Sequence, residues 1–334
     1  MPTELQQTRG SVRLQGLIVG LQNENTFREG KTKSGAPYRS VSLALKTSPN
    51  NVIYNLDLFG QVIESKKVKV FSNKNGEKKT LEIDFEDRDN LPEGFTPLGF
   101  GTVRTGLQKD DKGKVVQKNY FNYDGVEVIK NSLEDGDSVY INAEFNPNTY
   151  TSNGEERTTV KYTVTGIGFL KNPIDFESEE FKEIASFEQE FVVISTNVDK
   201  EAKKLYIVGR LIRFDKTWDD VTFVIDANKY EKLVTNFIKK TKFGDVVKVQ
   251  GIIRNGTIIE EKEEEQTLDW GGEVPEGQKK SSKDRISELQ ITNVVEHKPK
   301  VYKEDDFIKE EDPFGSDNEI DNDPFSEDGN DPWS

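Results

Sequence analysis

The strongest constraint on this chain is an order of elements that occurs twice. Read by hydrophobic period, residues 11–21, 39–47 and 52–59 are three strands, with a polar turn region between the first and second. A helix follows at 124–133, and then strands at 139–145 and 157–170 meet across Asn153-Gly154, a strong hairpin dipeptide. The second half repeats the scheme with strands at 190–196, 204–214 and 221–226, a helix at 228–241, and strands at 245–254 and 285–295. That second helix is the clearest local signal. Tyr230, Leu233, Val234, Phe237 and Ile238 make one apolar face, Asn228 and Glu231 have capping-box spacing, and Gly244 lies just past the end. The wording also rhymes, IKNSLEDGDSVYINAEF (129–145) beside IKKTKFGDVVKVQGIIR (238–254), and each half ends in an apolar strand before a proline, Pro173 or Pro299.

Three strands, a helix and two strands is the order of the OB-fold, a five-stranded barrel that often binds oligonucleotides. The expected fold is therefore mainly β: two tandem OB-fold barrels, each with its helix between strands three and four. The expected boundaries are 10–172 for the first body, 173–190 for an acidic linker, 191–303 for the second body and 304–334 for a disordered acidic tail. Residues 66–122, rich in Lys and Gly with turn signals at Asn75-Gly76 and Lys112-Gly113, read as an arm inserted in the first body. Phe176, Phe181, Ile184 and Phe187 in the linker suggest a packed helical turn.

Composition excludes much of the usual enzyme chemistry. There is no cysteine and a single histidine, His297, so disulfides, thiolate chemistry, Cys-type zinc sites and His-His metal pairs are ruled out. His297, at a strand end, reads as a surface residue. The segment NTFREGKT (25–32) ends like a phosphate loop but has Asn25 where the first glycine must turn, and Gly99 and Gly101 are followed by Arg104 where a third glycine would stand. Asp110-Asp111 and Asp219-Asp220 read as solvated loop charge. The expectation is a non-enzyme without cofactor or metal. No apolar run reaches the roughly 18 residues of a membrane span, and MPTELQQTRG lacks secretory character; a cytoplasmic protein is expected, in the host cytoplasm if the source is viral.

The net charge of −15 looks hostile to nucleic acid, but it is unevenly spread. The linker carries −6 and the tail −12, while the bodies stand at +1 and +2, so a basic face on either body remains open to phosphate.

The stretch LEDGDSVYINAEFNPNTYTSNGEERTTVKYTVTGIGFL (133–170) resembles the fourth and fifth strands of the bacterial and bacteriophage single-stranded DNA-binding proteins, with weaker likeness in SVSLALKT (40–47) and NLDLFGQ (55–61). The resemblance implies stacking roles for Phe59 and Tyr150. Ser48 and Pro49 stand where the family has another stacking aromatic, and the duplicated body departs from the family's single barrel; from these departures a bacteriophage-type member is expected.

Alternation gives an independent reading of the same strands. Val52, Tyr54, Leu56 and Leu58 share the core side, leaving Phe59 on a mostly polar face; Phe145 and Tyr162 also point inward. Phe59, Tyr140, Tyr150, Arg157 and Lys161 then fall on one outward face. Aromatics among cations suit unpaired bases and phosphates; the competing reading is that these rings cover the barrel mouth or pack under the arm. The arm adds Lys112, Lys114 and Tyr120, with Arg104, Lys109, Lys118, Phe121 and Tyr123 nearby, or is simply a solvated hairpin. In the second body Trp218 and Arg254, with Lys216 and Trp270, are loop or strand-end candidates, unless that body is a structural or dimerisation copy.

The tail repeats an Asp-Pro-aromatic triplet: Asp312 to Phe314, Asp323 to Phe325 and Asp331 to Trp333. Such a segment buries too little apolar surface to fold, yet offers rings amid negative charge to a basic-rimmed pocket on a partner. The resembled family likewise recruits replication and repair proteins through an acidic tail. The functional expectation is sequence-tolerant binding and protection of single-stranded DNA in replication or recombination, with partners recruited by the tail. The alternative is an OB-fold interaction scaffold or an accessory subunit of a DNA-processing enzyme.

Overall fold

The computed structural model describes residues 4–62, 67–74, 76–99, 101–152, 155–259 and 283–307, the side chains of 152, 155–157, 257–259 and 283–285 excepted. In chain order the elements are β1 (Gly10–Val19), β2 (Phe27–Lys31), β3 (Pro37–Ser48), β4 (Asn51–Gln61), β5 (Lys67–Lys74), β6 (Glu77–Asp84), β7 (Thr96–Leu98), β8 (Thr102–Lys109), β9 (Val115–Phe121) and α1 (Asn122–Ser132). They continue with β10 (Ser138–Ser152), β11 (Glu155–Phe169), β12 (Ile184–Asp199), β13 (Lys204–Ile212), β14 (Trp218–Asp226), α2 (Ala227–Lys240), β15 (Val246–Ile259) and β16 (Lys283–Lys298).

The pairings close two five-membered rings. In the first, β1 pairs with β3, β3 with β4, β4 in parallel with β11, β11 with β10, and β10 returns to β1. In the second, β12, β13, β14, β16 and β15 close in the same order, with β14 and β16 as the parallel pair. Each ring has its helix between its third and fourth strands. The rings are fused because β1 also pairs with β12, from Gly10 opposite Gln189 to Gln15 opposite Ile184, giving one 13-stranded sheet.

Apolar residues at every second position fill both rings. Leu14, Leu43, Leu56, Ile141, Val164 and Ile167 are fully buried in the first, with Ile129 of α1 against them. The second is filled by larger groups: Phe191 and Phe223 stack at 4.5 Å with an 11° tilt. Gly209 lies so close that a Cβ there would come within 2.6 Å of Phe191, which is why the strand needs glycine. Asp226, two residues before the start of the expected helix, caps α2 in place of Asn228 by accepting from the Asn228 N–H at 2.9 Å. Ile238, expected on the buried face, is exposed. Among the described residues no helix is long and apolar enough to cross a membrane.

Several expectations need correction. The polar stretch before the second expected strand contains an edge strand, β2, whose backbone pairing with β3 compensates for weak alternation. Residues 66–122, expected as one inserted arm, divide between two sheets. Strands β5, β6 and β7 make a small sheet over Val70, Phe85 and Phe121, whereas β8 and β9 join the main sheet through parallel pairing of β8 with β11. Within the linker, Phe176 and Phe181 meet edge-on at 5.2 Å without a helix, and β12 is already under way at Ile184. At the other end, 304–307 forms a 3-10 turn that buries Phe307 beside Tyr302, Val192 and Ile212, so this first part of the expected tail is packed.

Candidate nucleic-acid interface

The outer face of the first ring depends on a bulge in β4. Asn51 and Ile53 point inward, Asn55 takes a positive φ of 57°, and the inward phase resumes at Leu56, Leu58 and Gly60. The same irregularity shifts the register between Leu43 and Leu45 on β3. The inward assignment of Leu56 and Leu58 therefore holds, but Tyr54 is thrown outward to 37% exposure, a correction of its expected core position, and Ile53 takes an inward place.

Phe59 stays on the outer face, where its ring lies 5.5 Å from that of Tyr38 at a 32° tilt. Across the strands Phe59 is opposite Ser40, which is opposite Arg28; Tyr38 is opposite Gly30, where a Cβ would lie 3.0 Å from its ring. The end of β4 is fixed from beneath. Gly60 lies flush on the backbone of Asn122 and Tyr123, and the Asn122 side chain donates to the Phe59 carbonyl at 3.1 Å. Arg39 is committed to α1, 4.3 Å over the Tyr123 ring and paired with Glu127 at 2.6 Å.

Beyond this aromatic pair the sheet is rich in glycine, and Gly106, Gly166 and Gly168 are buried beneath neighbouring side chains. Asn142 of β10, Gly166 of β11, Arg104 of β8 and Asn119 of β9 form one row, and Tyr140 and Gly168 begin the next, with Gly106 beside Gly168 and the Gln117 side chain over Gly106. Tyr140 lies across this floor: its hydroxyl donates to Gln117 Oε1 at 3.1 Å, and a Cβ on Gly168 would approach its ring to 2.8 Å. Arg104 and Asn142 are exposed. The outer face here consists of the Tyr140 ring and amide side chains laid over the glycines, with the exposed Arg104 beside them.

Residues 101–323, about two thirds of the chain, match the YorF family. The chain belongs to the YorF family. Among solved structures it is similar to the wild-type single-stranded DNA binding protein from Thermus aquaticus, with a TM-score of 0.39 and 10% identity over 88% of this chain and 94% of that one. A deletion mutant of the same Thermus protein gives a TM-score of 0.38 and 10% identity over 92% and 98%. No curated protein matches in sequence.

In this YorF-family chain the residues expected to share one face are strung along it. Phe59, Tyr140 and Lys161 belong to the outer side of the first ring, Lys161 opposite Asn146. Tyr150 is 46% exposed but sits far down the β10–β11 hairpin, roughly 33 Å of extended strand from Tyr140. Arg157 is opposite Tyr150 in the ladder, and its side chain lies outside the described residues. The hairpin leans on the second ring, Thr149 donating to Asp219 at 2.9 Å and Arg213 to the Pro147 carbonyl at 2.6 Å. Phe145 and Tyr162 point inward as expected, 5.6 Å apart, and burial pushes the Tyr162 phenol up.

Lys112 and Lys114 are exposed in the β8–β9 turn, whose Asp110 carboxylate accepts both of their backbone N–H groups, at the opposite end of β11 from Tyr150. Tyr120 is half-buried, its hydroxyl on Gln108 at 2.8 Å and Lys118 above its ring; Phe121 packs in the small core under β5. In the second ring Trp218 packs edge-on to Phe307 with the Arg210 guanidinium over it, and Arg254 faces Glu183 at 3.9 Å. Lys216 bonds the Leu5 carbonyl and approaches Glu4. His297 is hydrogen-bonded to Asp245 at 2.8 Å. Trp270 and the tail residues Asp312, Phe314, Asp323, Phe325, Asp331 and Trp333 lie outside the described residues.

Sequence reading missed Tyr38 and the glycine floor. Tyr38 stands just before the expected start of its strand, yet its spacing of two from Ser40 and Ser42 was a usable signal. The run Gly166-Ile167-Gly168 was another, since glycine inside a strand often marks a close approach.

Proposed function

We propose that this YorF-family chain is a non-enzymatic single-stranded DNA-binding protein whose two rings are tandem OB-type barrels, the first of which carries the strand. The observation behind this reading is the Tyr38–Phe59 ring pair on the outer side of the first ring, with the exposed Arg104 on the same sheet. Base stacking contributes about 1 to 3 kcal/mol per base and tolerates any sequence, while each phosphate contact releases counterions. Rings on an outer face favour a single strand over a duplex, whose bases are already stacked. The acidic Asp-Pro-aromatic tail recruits partners in replication or recombination.

Titration of the full chain with poly(dT), duplex DNA and RNA at two salt concentrations tests this. Tight, salt-sensitive binding to poly(dT) is expected, weakened by Phe59→Ala; no salt-sensitive binding would favour an interaction scaffold, and turnover of DNA would favour an enzyme subunit. Replacing Phe314, Phe325 and Trp333 by alanine should abolish capture of partners while leaving DNA affinity unchanged.

A further inference from the structure

Between the two rings lies a cleft of 570 Å³ that the interface above does not use. The first ring contributes Tyr54 and Thr159, and the second contributes Thr222 and Ser287, over a floor that includes Val221 and Leu289. The bulge at Asn55 turns Tyr54 out of the core into this space. Hydrogen bonds bridging the rings set the width of the cleft: Asn51 donates to the Ile253 carbonyl at 2.9 Å and accepts from the Asn255 N–H at 2.7 Å, and Thr149 meets Asp219 in the neighbouring hairpin.

Its electrostatics narrow the choice of ligand. Two carboxylates line the cleft, and both are held by cations: Asp220 by Arg210 in a two-pronged pair at 2.7 and 2.8 Å, and Glu288 by Lys204 at 2.5 Å. Burial alone would lower the Lys204 ammonium, but Glu288 more than offsets it and holds the lysine above its ordinary value. The cleft thus offers hydroxyls, an aromatic ring and an apolar floor with its charges compensated. That suits a flat, uncharged, hydrogen-bonding group better than a phosphate. Thr159 and Lys161 point to the same side of β11, so the cleft and the outer face of the first ring are joined along one strand.

We infer that the cleft between the rings takes up a base of the bound strand, stacked on Tyr54, as a second contact beyond the outer face. This rests on the reading that the chain binds single-stranded DNA. The test is titration of the full-length protein with poly(dT), measuring affinity and occluded site size for wild type, Tyr54→Ala, Tyr54→Phe, Thr222→Trp and Phe59→Ala. Tyr54→Ala removes the ring and Thr222→Trp fills the space; each should weaken binding about tenfold, the equivalent of one base stack, and shorten the site. Tyr54→Phe keeps a ring and should match wild type. If Thr222→Trp does not fold, the Tyr54 pair carries the test. Wild-type affinity and site size in Tyr54→Ala, with Phe59→Ala still weakened, would overturn the cleft and leave the outer face standing. Failure of wild type to bind poly(dT) would bring down both.

Discussion

The two rings share their connections but end their third strands differently. Three residues beyond the parallel bridge that closes each ring, β4 reaches Phe59 and β14 reaches Asp226. Their partners differ as well: Phe59 is opposite Ser40, Asp226 opposite Lys204. In the second ring the strand runs directly into α2, and the position is needed as the helix cap. In the first, the segment carrying β5 to β9 separates β4 from α1, which begins without a side-chain cap bond. The insertion therefore frees the end of β4 from capping, and an aromatic can occupy it. Cations follow the same division: Lys204 and Arg210 are paired on the second ring, whereas Arg104 on the first has no ion pair with a described residue. A shared ring topology leaves the two outer faces free to differ at a few outward positions.

If the second ring is chiefly a support, damage to its core should be the largest effect on stability. Phe223 is fully buried and stacked on Phe191, so Phe223→Ala should cost about 3 to 5 kcal/mol, measured by urea unfolding. A loss under about 1 kcal/mol would mean that the second ring contributes little to the cooperative unit.

Next is the clasp that ties the chain end to this ring. Asp245 accepts from the N–H groups of Lys300 at 2.8 Å and Lys242 at 3.0 Å and bonds the His297 imidazole. Burial alone would push its carboxyl up, but these bonds outweigh it and hold it below the usual carboxylate value. A lowered carboxylate contributes stability above its unfolded value of about 3.9 and loses that contribution as pH falls through the lower folded value. Asp245→Ala should cost about 1 to 3 kcal/mol at neutral pH by stranding buried donors. Acid titration of wild type and variant should converge below pH of about 4; curves that stay parallel would break the assignment.

The helix and strand order was legible in the sequence because alternation and amphipathic spacing are local. What escaped was set by contacts between distant segments. Tyr54 lies outside its expected place because a bulge shifts the phase by one, and the one local sign of it is that residue 55 is an asparagine, which tolerates left-handed backbone. The Lys and Gly content of 66–122 is that of solvated hairpins and gives no sign that β8 is held by backbone pairing with β11, about 60 residues away. Of the candidate site, alternation suffices to put Phe59, Tyr140 and Lys161 on the outer face, and the family resemblance points to Phe59 as well. Tyr150 was grouped with them because parity assigns a face without giving the distance along it.

A reciprocal pair of substitutions sharpens the contrast at the strand ends. Phe59→Ala should weaken single-strand binding by about 1 to 3 kcal/mol with little change in stability, since the ring is half-exposed. Asp226→Ala should destabilise by about 0.5 to 2 kcal/mol through the lost cap, with DNA affinity unchanged. Loss of affinity in both would show that the second ring also binds.

The smallest effect concerns salt. A cation that meets a phosphate contributes about 0.7 to the slope of log affinity against log salt for a single strand. Arg104→Gln should therefore flatten that slope by about 0.7 if the exposed guanidinium beside Gly166 meets the backbone. Arg210→Gln is the matched change on the second ring, where the guanidinium is held by Asp220 and lies over Trp218 and Phe307. Because that charge is already neutralised, its removal should leave the slope at the wild-type value and appear instead as lower thermal stability. Titrations at four or more salt concentrations, on proteins matched for folded fraction, separate the two. Equal flattening by both substitutions would place phosphate on both rings and remove the distinction between a binding ring and a supporting one.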